Sequence, residues 1–83
     1  MYALIALDIS PKVINKVLLQ NFLQEIEKYK TQGTNTSKIF ESLWLLDLEN
    51  GMSFLRNMLN EADHYKISYK VSFLENKPVL ITL

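Results

Sequence analysis

The placing of apolar and polar residues along the chain predicts its elements. Tyr2-Ala-Leu-Ile-Ala-Leu-Asp8-Ile9 is almost continuously apolar and ends at Ser10-Pro11. Such a run fits a central strand covered on both faces, and its one polar member, Asp8, is in phase with Leu4 and Ala6. From Ser10, which reads as an N-cap with Pro11 at the first helical position, apolar residues recur at Val13, Ile14, Val17, Leu18, Phe22, Ile26 and Tyr29. Spacings of three and four mark one face of an amphipathic helix, and Leu19 and Leu23 widen it. Lys12, Lys16, Gln20, Gln24, Glu27 and Lys28 form its polar side.

The polar segment Thr31–Lys38 follows, and its Gly33 is suited to end the helix. The β-formers of Ile39–Leu48 are interrupted at Glu41-Ser42. This predicts two short strands, Thr36–Phe40 and Leu43–Leu48, with one long kinked strand as the alternative. Asn50-Gly51 then opens a second helix, capped by Asn50, with Leu55, Met58, Leu59 and Ala62 inward and Arg56, Asn57, Asn60 and Glu61 outward. Beyond it the period changes to two. Tyr65, Ile67, Tyr69, Val71 and Phe73 alternate with Lys66, Ser68, Lys70 and Ser72, the signature of a half-buried strand. Glu75-Asn76-Lys77-Pro78 reads as a turn and Val79–Leu83 as a last strand.

The order β-α-β-β-α-β within residues 1–83 predicts a single α+β domain. It has the ferredoxin-like arrangement, an antiparallel sheet with two helices on one face and an extra C-terminal strand. Helices cover one face of such a sheet, yet the first strand is apolar on both, so a second copy of the chain is the expected cover. Composition points the same way: 48% of the 83 residues are hydrophobic and 22% charged, more apolar surface than one small core absorbs.

Nine acidic and nine basic residues cancel, and Arg56 is the only arginine, so neither a strongly basic surface nor an arginine fork for phosphate is available. With no cysteine, disulfides, zinc ribbons and thiol catalysis are excluded. The Tyr2–Leu7 run is too short for a secretory signal or a membrane span, so the expected address is the cytoplasm.

The opening Met1-Tyr-Ala-Leu-Ile-Ala-Leu-Asp8-Ile-Ser10 resembles the start of the small CRISPR adaptation subunit (CRISPR-associated protein 2) and of its VapD-like and SinR-like relatives. Phe40-Glu-Ser-Leu-Trp-Leu-Leu46, followed by a capped helix and an alternating strand, is most similar to the SinR-like branch. The resemblance implies a homodimer with facing sheets, in which each C-terminal strand extends the partner's sheet. It also implies a metal-dependent nuclease, with the Asp that ends the first strand holding a divalent ion such as Mg²⁺. Asp8 matches that residue and is the candidate both for catalysis and for metal binding. Where the family carries basic residues after this Asp, the chain has Lys12 and Lys16 and no arginine.

Asp8 has a structural alternative, capping the first turn of helix one. Likewise, lone His64 fits a helix C-terminus, Trp44 fits core or interface packing, and Tyr65, Tyr69 and Phe73 fit the inner side of a strand. Two functional readings remain. One is a homodimeric nuclease or nucleic-acid-associated protein; the other is a non-enzymatic dimeric interaction or regulatory module.

Overall fold

The computed structural model describes residues 1–79 apart from 11, 13, 32 and 41, and its element order is β-α-β-β-α-β. The elements are β1 (Tyr2–Leu7), α1 (Lys16–Lys28), β2 (Thr36–Phe40), β3 (Leu43–Asp47), α2 (Met52–His64) and β4 (Tyr69–Leu74). The strands form one sheet in the order β2-β3-β1-β4, and every neighbouring pair is antiparallel. This is the ferredoxin-like arrangement expected, with β1 and β3 in the centre. Residues 36–48 are two strands rather than one kinked strand. Most of the proposed C-terminal strand, residues 80–83, lies outside the described residues.

The sheet register sorts the side chains into two faces. Ala3 lies opposite Leu46 and Ile5 opposite Trp44, while Leu4 lies opposite Leu45 and Ala6 opposite Leu43. Residues directly opposite in an antiparallel pair share a face. Ala3, Ile5, Leu7, Trp44 and Leu46 therefore point one way, into a core completed by Phe22 and Ile26 of α1 and by Phe54, Leu55, Met58 and Ala62 of α2. Phe22, Ile5, Leu46 and Met58 are its largest fully enclosed side chains. Each contributes about 1.5–3 kcal/mol by leaving water. Tyr2, Leu4, Ala6, Leu43, Leu45 and Asp47 point the other way, onto a face without helices. Leu45 is buried there, outside the main core.

The start of α1 departs from expectation. Ser10 accepts one turn-forming bond from the Ile14 N–H at 3.2 Å, but the helix begins at Lys16. Its N-cap is Asn15, whose side-chain oxygen accepts the Leu18 N–H at 2.9 Å. Pro11 and Val13, assigned to the first turn and the apolar stripe, lie outside the described residues. The stripe itself is rotated. Leu19 and Leu23, expected only to widen it, pack against the core, whereas Val17 and Leu18 are 65% and 43% exposed. Starting the helix five residues later than Pro11 changes which leucines meet the sheet.

Both expected terminal residues of the helices are also corrected. Gly33 does not end α1, whose C-cap is Tyr29, and it adopts no positive φ. Asn50 does not cap α2: Gly51 is the N-cap, without a side-chain bond. A Cβ at Gly51 would lie 2.4 Å from the Asp47 carbonyl oxygen and 2.8 Å from Leu46 Cδ1, so only glycine lets α2 approach β3 so closely. α2 in turn buries Phe54 as well as the residues expected, with Leu59 half-buried.

At the end of α2 the chain makes a Schellman turn. The Lys66 N–H donates to the Asp63 carbonyl at 3.1 Å and the Ile67 N–H to the Ala62 carbonyl at 2.8 Å, with Lys66 at φ 59°. Tyr65 and Ile67, which continue the alternating pattern backwards, thus belong to this turn and not to β4. Tyr65 meets Phe22 edge-on at 5.8 Å, Tyr69 and Val71 are half-buried, and Phe73 is 58% exposed at the sheet edge. The two helices are joined at their polar margin, where the Tyr29 hydroxyl donates to Glu61 Oε1 at 2.9 Å. Glu61 is therefore a partner of α1 rather than a solvent-facing residue. Among the described residues, no helix is long and apolar enough to cross a membrane.

Candidate functional site

Asp8 follows the last residue of β1 and prolongs the row Tyr2, Leu4, Ala6 on the open face of the sheet. Its backbone is held from both sides. The Leu7 N–H donates to the Ser42 carbonyl and the Asp8 N–H to the Ser68 carbonyl, each at 2.8 Å. One bond ties the strand end to the β2–β3 turn, the other to the segment entering β4. The side chain is exposed, and its contact is a long one, accepting the Ser10 N–H at 3.4 Å. That contact is a local turn. The expected alternative, a cap on α1, belongs to Asn15. Asp8 is thus a carboxylate on a rigid mount, with most of its hydrogen-bonding capacity unused among the described residues.

Ala6, Leu7, Asp8, Ser68, Tyr69 and Lys70 line one shallow pocket. Lys70 lies opposite Ala6 in the β1–β4 register, so its ammonium shares the open face with Asp8. Tyr69 lies opposite Leu7, so its ring turns to the helix side, where burial, aided by the Asp63 carboxylate that its hydroxyl meets, pushes the phenol up from its ordinary value. Alternation places Lys70 on the polar row of its strand, facing solvent or a polar partner; the pairing of β4 with β1 sets that row on the face of Asp8. Among the described residues, no group of three or more histidine, cysteine, aspartate or glutamate side chains is placed to hold a metal ion. What the described residues of one chain offer is a single carboxylate, Asp8, with a nearby cation. Mg²⁺ is commonly held by one or two carboxylates together with waters and substrate phosphates, so this donor chemistry suits it once a second carboxylate or a phosphate is supplied.

The other candidates fall to structural roles. His64 is exposed in the last turn of α2 and meets Tyr65 edge-on at 5.2 Å. Trp44 is 6% exposed in the core, with Lys38 Nζ 5.8 Å from its ring centroid, so its faces are not open for stacking on a base. At the opposite end of the open face, Lys77 joins Tyr2, Asn35, Thr36, Ser37, Leu45 and Asp47 around a polar pocket. The segment after β4 therefore approaches its own sheet. Asp47 is engaged locally, accepting the Glu49 N–H at 3.0 Å.

No protein-family model, no curated protein and no solved structure matches this chain.

Proposed function

We propose that this chain is a homodimer joined through the open faces of its sheets, related to the small CRISPR adaptation subunit and its VapD-like and SinR-like relatives. In this reading the paired Asp8 residues hold a divalent ion for phosphodiester cleavage. The observation that carries it is Asp8 itself, a pinned, exposed carboxylate on the same face as the apolar residues that call for a cover. Leu4 and Leu43 are half-buried and Ala6 is exposed on that face, and Phe40 at its margin is 69% exposed. A second sheet laid on them removes this surface from water and supplies a second Asp8. The ion, when bound, neutralises phosphate charge and lowers the pKa of a bound water. Asp8 would hold it and Lys70 would attract the phosphate.

A second reading, a dimeric interaction module without catalysis, is favoured by the zero net charge, the single arginine and, among the described residues, the single carboxylate at the site. Purified protein incubated with single-stranded RNA or double-stranded DNA and Mg²⁺ or Mn²⁺ separates the two. Cleavage that disappears in Asp8→Asn supports the nuclease. A sedimenting dimer with no cleavage, or with equal cleavage by both proteins, supports the module. A monomer at micromolar concentration overturns both.

A further inference from the structure

On the helix side of the sheet, away from the Asp8 row, α1 leaves the edge strand β2 uncovered. A groove runs between them, lined by Ile9, Leu19 and Leu23 with Gln20, Lys16 and Lys38. Ile9, Leu19 and Leu23 are half-buried against the core, which makes them a fixed apolar floor. Lys16 is the first residue of α1, and Lys38 projects from β2 over the Trp44 ring. The ion pairs among the described residues are Lys28–Glu25 and Lys30–Glu27, and neither groove lysine has a carboxylate partner among those residues.

We propose that this groove binds a small phosphate monoester with an apolar body. The choice rests on charge complementarity. Two ammonium groups beside one apolar floor match the −1.5 to −2 charge that a phosphate monoester carries at about pH 7, whereas a carboxylate would leave one lysine unbalanced. Lysine binds phosphate as a point charge, so the absence of an arginine fork here is no obstacle. Gln20 adds an amide that can donate to a phosphate oxygen. The half-buried leucines take the apolar body, as the floor of a small-molecule pocket does.

The test uses the isotope-labelled full chain titrated with octyl phosphate below its micellar concentration and followed by amide chemical shifts. Saturable shifts centred on Ile9, Leu19 and Leu23 are expected. Octanol should bind at least about tenfold more weakly, as should octyl phosphate to the Lys16→Gln/Lys38→Gln double variant, because charge-assisted hydrogen bonds carry the discrimination. Both lysines are exposed, and an unchanged thermal midpoint will show that the variant folds. Affinity should also fall as the phosphate gains a proton below about pH 6. The proposal is overturned by any of four results: no saturable shifts, octanol binding as tightly, undiminished binding by the double variant, or shifts centred instead on Leu4 and Phe40 of the open face.

Discussion

Replacing Gly51 by alanine tests how tightly α2 is drawn onto the sheet. The added methyl would sit 2.4 Å from the Asp47 carbonyl oxygen, 2.8 Å from Leu46 Cδ1 and 3.1 Å from Leu46 Cγ. Comfortable carbon contacts begin at about 3.5 Å, so the helix start or the end of β3 must move by about 1 Å. Neither neighbour yields cheaply, because the first is backbone and Leu46 is fully buried. Overpacking of this kind costs about 1–3 kcal/mol. Alanine is also a poorer N-cap than glycine, which brings the expected loss to about 2–3 kcal/mol.

A domain of this length has about 4–12 kcal/mol of stability in total. The loss should lower the thermal midpoint by about 10–20 °C, measured by circular dichroism at fixed protein concentration. Gly33→Ala is the matched control. Its Cβ would meet Asn50 Cβ at 3.5 Å, an ordinary contact, and its φ is not positive. Stiffening the unfolded chain there should gain about 0.4–1 kcal/mol, so the two glycines should shift the midpoint in opposite directions. A Gly51→Ala protein melting within about 2 °C of wild type would refute the close approach of α2 and β3.

Three further outcomes are expected. Lys66→Gly should raise stability by about 1 kcal/mol in urea denaturation, because Lys66 holds a left-handed conformation that glycine adopts freely; a loss would argue against the Schellman turn. Asn15→Ala should cost about 1 kcal/mol while Ser10→Ala is nearly neutral, and the reverse order would return the start of α1 to Ser10. Stability should also fall in strong alkali. The hydrogen bond to Glu61 raises the Tyr29 phenol above its ordinary value of 10.0, and burial raises that of Tyr69. Phenols whose folded pKa lies above the unfolded one stabilise fully below about pH 10 and lose that contribution as pH rises through the folded values. A Tyr29→Phe/Tyr69→Phe protein should therefore lose stability less steeply above that pH. Some decline should remain, because Glu25 likewise raises the Lys28 ammonium above its ordinary value.

The strands were the most legible part of the chain, since their pattern is short-range. β2 occupies the expected residues, β3 ends one residue early, and β1 stops at Leu7 rather than Ile9. The helix start was less legible because two cap signals compete, Ser10-Pro11 and Asn15. Tertiary packing selects the second and so exchanges Val17 and Leu18 for Leu19 and Leu23 on the buried side. Alternation misled at Tyr65 and Ile67, where a helix-ending turn happens to continue a period of two. At the candidate site, the phase of Asp8 with Leu4 and Ala6 could be read directly. Its neighbour Lys70 could not, because sixty-odd residues separate them and only the β1–β4 register joins them. The groove of Lys16 and Lys38 was equally hidden, being made where one element fails to cover another.

The two borders of the sheet differ in a way that bears on assembly. β2 is five residues long, and its register slips between Lys38 and Phe40, which twists that border away from regular pairing. β4 pairs with β1 without a slip over six residues, and among the described residues no strand pairs with its far side. Strand addition is therefore directional: a newcomer finds a template beside β4 and a blunt stop beside β2. If two copies join through β4, the combined sheet ends on a β2 at each extremity. Growth by this route terminates at a closed pair instead of propagating into a fibre.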